Sequence, residues 1–223
     1  MPMLYIVATP IGNLADITLR AIETLKEVDF ILAEDTRVTV KLLNRYEIKK
    51  PLISYFQHSK LSRVEYILDL LEQGKDLALV SDAGTPGVND PGGKLIEEVA
   101  KKFGDRIQII PIPGPNAVIA ALSISGFNTD RFLFLGYPPH KKGRQKFFKE
   151  ITESKYPIVF YESVHRILKT LNELNQLEKL KDRQVIVARE LTKKFETIYR
   201  GKIEEIIPQI EKQKLGEFVI VIS

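Results

Sequence analysis

Ten short apolar runs recur along the chain, with amphipathic stretches between most of them. This alternation limits the fold more than any other feature. In the first half the runs are LYIVA (4–8), FILAE (30–34), PLISY (51–55), DLALVS (76–81) and IQIIPI (107–112). Those in the middle are apolar on both faces, as strands of a parallel sheet covered on both sides must be. Helical spacing fills several of the gaps. In ITLRAIETLKEV (17–28), Ile22, Leu25 and Val28 share a stripe. In SRVEYILDLLEQG (62–74), Val64, Ile67, Leu68 and Leu71 share another, with Ser62 and Glu65 in capping-box spacing and Gly74 at the stop. A third helix covers 93–103 and ends at Gly104. Strand–helix alternation of this kind predicts a parallel sheet with right-handed crossovers.

At 111–118 the segment PIPGPNAV interrupts the pattern with three prolines and a glycine, and then the pattern restarts. A helix, NAVIAALSIS (116–125), precedes strands at RFLFLG (131–136), PIVFYE (157–162), QVIVARE (184–190), ETIYRG (196–201) and EFVIVI (217–222). SVHRILKTLNEL supplies a helix between the second and third of these. The last three strands have less helix between them, which predicts a mixed sheet. The expected fold class is therefore α/β, as two α/β domains over 1–113 and 114–223, the first with a mainly parallel sheet and the second mixed.

Composition narrows the function classes. The 223 residues include no cysteine, which excludes disulfides, thiolate zinc sites, iron–sulfur clusters and a cysteine nucleophile. His58, His140 and His165 are scattered, so no metal site is expected. The formal net charge of +4 permits a polyanionic partner without demanding one. The N-terminus reads as a first strand and not as a secretory signal, and no run reaches membrane-spanning length, so a cytoplasmic protein without a membrane partner is expected. Walker A, G-x-G-x-x-G, H-E-x-x-H and G-x-S-x-G motifs are all absent.

What remains are loops at the C-terminal ends of strands, where open parallel sheets bind ligands. The most unusual is VSDAGTPGVNDPGG (80–93), which holds four of the chain's 13 glycines. Such a loop lets backbone approach a ligand that a Cβ would block. The strings VATPIGNLADIT, AEDTR, SDAGTPGVNDPG, PIPGPNA, GYPP, FYESVHR, ARELTKKFE and GEFV follow one another across nearly the whole chain. Together they resemble the small-subunit ribosomal RNA methyltransferase I family, within the tetrapyrrole-methylase-like (class III) S-adenosylmethionine methyltransferases. The resemblance implies transfer of a methyl group from S-adenosyl-L-methionine to the ribose 2′-oxygen of a cytidine in the decoding region of 16S rRNA. It also implies a cofactor cleft between two α/β domains, a homodimer, and the small ribosomal subunit as partner. Members of that family often continue past the GEFV strand. This sequence ends at Ser223, so the core is expected to be whole, with any RNA or partner contact made by such an extension either absent or supplied elsewhere.

Carried over by this resemblance, the cofactor residues are Pro10, Asp82, Ala83, Gly84, Thr85, Gly87, Val88, Asp90, Ala120, Ala121, Tyr161, Ala188, Arg189 and Glu217. Asp90, before Pro91, also reads as a helix-start residue, and Ala120 and Ala121 also read as tight helix packing. A ribose hydroxyl needs a base, and Glu34, Asp35, His58 and Glu190 are candidates, with the AEDTR pair favoured. An ion pair tying loop to domain would look the same. For the RNA, HKKGRQK contributes His140, Lys141, Lys142, Arg144 and Lys146, with Arg37, His58, Lys60 and Arg63 extending the patch. A solvated helix start is the plainer reading of that segment. The competing functions are a small-molecule corrin or porphyrin methyltransferase and a non-catalytic RNA- or nucleotide-binding module.

Overall fold

The computed structural model describes residues 1–56 and 61–223, and the chain divides into two compact units, Met1–Asn116 and Ala117–Ser223.

In the first unit the strands are β1 (Met3–Val7), β2 (Phe30–Ala33), β3 (Leu52–Ser54), β4 (Leu77–Val80) and β5 (Gln108–Ile112). They form one sheet in the order β3-β2-β4-β1-β5, with every pairing parallel. Four helices make the crossovers: α1 (Leu19–Glu27), α2 (Thr36–Arg45), α3 (Leu61–Glu72) and α4 (Gly92–Phe103). The period-2 alternation of the strands divides the core between the two faces. Leu77 and Leu79 of β4 pack with Ile67 and Leu71 of α3 and Leu95 and Val99 of α4. Ala78 and Val80 pack on the other face with Ala21 and Leu25 of α1 and Leu42 and Leu43 of α2. Both faces are therefore covered, which is why β4 (LALV) is buried at every position.

The helix ends follow local chemistry. Thr18 caps α1 by accepting the Ala21 N–H at 3.1 Å, and Asp35 caps α2 by accepting the Arg37 N–H at 2.9 Å. At the end of α3, Gly74 takes a positive φ of 83°, and the N–H groups of Gly74 and Lys75 close back onto Leu71 and Leu70. The expected capping box at Ser62 is corrected: α3 already includes Leu61, so Ser62 lies inside its first turn.

In the second unit β6 (Leu133–Phe134), β7 (Ile158–Ser163), β8 (Val185–Arg189), β9 (Thr197–Gly201) and β10 (Glu217–Ile222) form a sheet in the order β6-β7-β10-β8-β9. Only β6 and β7 run parallel, so this sheet is mixed. Helix α5 (Ala117–Ser123) covers one face, packing Val118, Ala121 and Leu122 against Val159, Ala188 and Val219. The other face is covered by α6 (Arg144–Glu153), α7 (Ile167–Asn175) and α8 (Ile203–Lys212). Helix α8 fills the gap between β9 and β10, where less helix was expected. It is amphipathic, with Ile203, Ile206 and Ile210 buried, and it tolerates Pro208 on its exposed side. The FYESVHR stretch likewise enters its helix later than its pattern suggests, because Ser163 still belongs to β7.

Candidate active site

All five strands of the first sheet end on the same edge. Four of the loops leaving that edge are stitched to one another. Thr9, after β1, exchanges two backbone bonds with Gly84, after β4: Thr9 N–H donates to the Gly84 carbonyl at 2.9 Å and Gly84 N–H to the Thr9 carbonyl at 3.0 Å. The Thr9 hydroxyl donates to the Ser81 carbonyl at 3.0 Å. Thr85 Oγ1 donates to the carbonyl of Pro115, after β5, at 3.3 Å. On the other side, Asp35 N–H, after β2, donates to Asp82 Oδ1 at 2.9 Å.

The glycines serve this closure first. Gly84 has a φ of 84°, while a Cβ there would meet only ordinary contacts, so the need is conformational. At Gly92 the need is space: a Cβ would lie 2.9 Å from Asp90 Oδ1 and 3.0 Å from the Gly87 nitrogen. Asp90 Oδ1 itself accepts the N–H groups of Gly87 at 2.8 Å and Gly92 at 2.7 Å, so this oxygen fastens the loop to the start of α4. Pro10 is buried beside the Thr9–Gly84 bridge, whereas Asp82, Ala83, Gly87 and Val88 are exposed along the loop.

The carboxylates differ sharply. Asp35 is held down to about 2 by the Arg37 side chain, whose Nη2 lies 2.6 Å from Oδ2, and by the Arg37 N–H. Glu34 moves the other way. Burial raises it first, and the charges of Asp82 and Asp90 add to the effect, while the Asp82 N–H opposes it. Burial also raises Asp82. Glu34 lines a recess too narrow to hold a water molecule, together with Tyr55, Ser81, Pro86 and Asp90. Among the described residues, this edge thus gathers four carboxylates against the single cation Arg37. Such a surface favours a small cationic ligand. Arg63 lies apart on the exposed side of α3, and His58 and Lys60 lie outside the described residues.

In the second unit, Tyr161 and Ala188 both pair with Val219 and sit on the face covered by α5, which brings them together with Ala121. Ala120 is half-buried. Burial, helped by Tyr137, pushes the Tyr161 phenol up to about 12, so it remains a donor. The rings of Phe134 and Tyr137 stand 5.1 and 5.3 Å from it. Arg189 pairs with Phe218 and so points to the opposite face, where Nε donates to the Leu215 carbonyl at 2.6 Å and Nη1 to the Phe195 carbonyl at 2.8 Å. Its guanidinium is therefore not grouped with Tyr161 and Ala188. Lys193 bridges Glu190 at 3.0 Å and Glu217 at 2.7 Å. Burial opposes the charge on Glu190, but the Glu217 N–H and the Lys193 ammonium outweigh it and hold Glu190 below the usual range.

The basic run is corrected at one position. Arg144 is buried, with its guanidinium bonded to Glu173, to the Thr170 hydroxyl at 2.8 Å and to the Pro139 carbonyl at 3.1 Å. It therefore anchors the loop, and His140, Lys141, Lys142 and Lys146 remain exposed. Thr170 in turn donates to Glu162 at 2.6 Å, and Arg166 bridges Glu162 at 3.0 Å and the Pro138 carbonyl at 2.8 Å. This buried network fastens the GYPPHKKG loop to β7 and α7. Sequence reasoning did not find it. The Glu162–Arg166 spacing was a visible signal, but Arg144 and Glu173 come from remote segments.

The sequence model of the tetrapyrrole (corrin/porphyrin) methylases matches residues 3–207. A cobalt precorrin-4 methyltransferase shares the fold at a TM-score of 0.72 and 18% identity, covering 99% of this chain and 93% of its own. A diphthine synthase does so at 0.72 and 14%, covering 100% and 90%. Sequence similarity is far higher to proteins named ribosomal RNA small subunit methyltransferase I. The protein from Thermotoga maritima is 47% identical over 100% of this chain and 99% of its own length. That from Bacillus subtilis is 44% identical over 100% of this chain and 75% of its own. The chain therefore belongs to the tetrapyrrole methylases and, within them, to the ribosomal RNA small subunit methyltransferase I family.

Proposed function

We propose that this protein 2′-O-methylates the ribose of a cytidine in the decoding region of 16S rRNA, using S-adenosyl-L-methionine. The observation that carries the reading is the 47% identity, end to end, with a protein named ribosomal RNA small subunit methyltransferase I, and the 2′-O position and the cytidine are what the family resemblance implies. The acidic edge of the first sheet is chemically suited to the cofactor, which carries a sulfonium and an ammonium. When bound, that molecule supplies an activated methyl on sulfur.

The chain's own residues then have two tasks. Asp82 and the 83–90 loop bind and orient the cofactor, fixed in place by the Thr9–Gly84 and Asp35–Asp82 bonds. Glu34 takes the proton of the attacking hydroxyl. A carboxylate raised by burial is a stronger base than one held at about 2, so Glu34 is preferred to Asp35. Glu190 is already committed to Lys193 and the Glu217 N–H and is assigned a structural part. In the second unit Tyr161, Ala188 and Ala121 would line the cofactor's surroundings, and exposed Lys141, Lys142 and Lys146 would bind RNA phosphates. The family resemblance further supports a cytoplasmic homodimer.

The test is incubation with labelled S-adenosylmethionine and undermethylated small subunits. Label in 16S rRNA is the expected result. Label accepted only by a tetrapyrrole, or binding without transfer, would overturn it.

A further inference from the structure

We infer that the β8–β9 end of the second sheet carries a second RNA contact: a platform on which an unpaired base stacks against Phe195, flanked by Lys194, Lys212 and Lys214. This rests on the methyltransferase reading, which makes RNA the substrate.

The feature itself is a groove of about 570 Å³ beside the end of α8, with Phe195 and Leu215 at its mouth. Phe195 is 65% exposed and Leu215 70%. An aromatic ring so exposed contributes little to the core, yet its backbone is fixed. Buried Arg189 holds the carbonyls of Phe195 and Leu215 at once, clamping both walls of the groove. The turn before the ring is closed by Glu196 N–H donating to the Lys193 carbonyl at 3.0 Å and by the Glu196 carboxylate accepting the Thr192 N–H at 2.6 Å. The platform is therefore preorganised.

Its charge selects the occupant. Lys194 stands 5.5 Å from the Phe195 ring centroid. Among the described residues, none of Lys194, Lys212 and Lys214 forms an ion pair. The lining sets two carboxylates, Glu196 and Glu211, against these three ammonium groups and the Arg189 guanidinium, so the groove is net positive. An aromatic face with basic neighbours is the usual platform for single-stranded nucleic acid. A second copy of this chain fits worse, because a two-fold contact centred here would set these lysines against themselves.

The placement agrees. The C-terminal ends of β6, β7 and β8 and the N-terminal ends of β9 and β10 share one sheet edge. The basic loop with Lys141 and Lys142 follows β6, and the Phe195 platform lies at the β8–β9 end. Four inter-strand spacings of ~4.8 Å put the C-terminal end of β6 about 19 Å from the N-terminal end of β9. An extended RNA strand running along this edge reaches both.

The test measures anisotropy of a short, unstructured, fluorescein-labelled RNA over a salt series, with S-adenosylmethionine calorimetry and oligomeric mass alongside. Phe195→Ala should weaken RNA binding by on the order of tenfold, and Phe195→Trp should retain it. Replacing Lys194, Lys212 and Lys214 together by alanine should flatten the log–log salt dependence by about two units, at ~0.7 per phosphate contact. Cofactor affinity should hold throughout. Wild-type RNA binding with indifferent variants would overturn this inference alone. So would a change in oligomeric mass with RNA affinity intact, which would make the groove a protein contact. A wild type that binds cofactor but no RNA would remove the functional reading as well.

Discussion

The two units solve the same problem, a sheet edge crowded with polar groups, in opposite ways. In the first, loops bond to loops mainly through backbone groups, and among the described residues neither half-buried Glu34 nor exposed Asp82 forms an ion pair. In the second, charged side chains are paired, most of them inward: Glu162 with Arg166, Arg144 with Glu173, and Lys193 with Glu190 and with exposed Glu217. Among the described residues, the charges left unpaired there lie at the surface, and they include Lys141, Lys142, Lys146, Lys194, Lys212 and Lys214 beside acids such as Glu204 and Glu211. An acidic, uncompensated edge suits a small cationic cofactor, while a neutralised interior with exposed lysines suits a polyanion. The contrast teaches that fold class alone assigns no role to a sheet edge. The charge left over after internal pairing does.

The largest expected effect lies in the acidic edge. Glu34→Gln should slow methyl transfer by about 10²–10⁴-fold while preserving cofactor affinity, and Asp35→Asn should do far less. Because the Glu34 pKa is raised, its contribution to stability is present below the ordinary value of 4.5 and is lost as pH rises through the folded value. The variant should therefore melt no lower than wild type at neutral pH. Turnover equal to wild type would move the base elsewhere.

The paired edge is probed by Glu162→Ala. Its side chain is wholly buried and is shared by Thr170 and Arg166. Removing one partner of a buried ion pair costs about 3–5 kcal/mol, or roughly 10 °C in Tm for a chain of this size. An unchanged melting curve would show that the network is not holding the second unit together.

Asp35→Asn should give the smallest effect, a modest fall in Tm from loss of the charge paired with Arg37, since Asn can still cap α2. The Asp35 pKa is depressed, so the carboxylate's contribution is present above its ordinary 3.8 and disappears as pH falls through about 2. Melting curves of the two proteins should therefore converge in acid. A gap independent of pH would assign the loss to packing.

The ten strands were legible because their apolar runs are short, β-branched and separated by clear breaks. Helix α2 gave little signal, since TRVTVKLLNR mixes β-branched and basic residues, and α8 was hidden by Pro208. At the site, the unusual loop was visible as VSDAGTPGVNDPGG, but its glycines turned out to answer the loop's own geometry at Gly84 and Gly92. That Glu34 and Asp35 diverge in acidity was not readable, because adjacent residues in the chain face different neighbours: Asp82 and Asp90 for one, Arg37 for the other. Nor was the inward turn of Arg144, which depends on Glu173 and Thr170 across another helix.

The division of labour between the edges is tested most directly by measuring two affinities in two variants. Gly84→Val forces a branched residue into a left-handed position that costs roughly 1–2 kcal/mol and strains the Thr9 bridge. Lys141, Lys142 and Lys146 changed together to alanine remove exposed charge and spare Arg144. Calorimetry with S-adenosylmethionine and anisotropy with 16S rRNA fragments should show crossed losses. Gly84→Val should lose cofactor affinity, by tenfold or more, and retain RNA. The lysine variant should lose RNA affinity and flatten its salt slope, by up to about one unit per residue, with cofactor binding intact. Equal loss of both ligands in either variant, or no loss in both, would contradict the account.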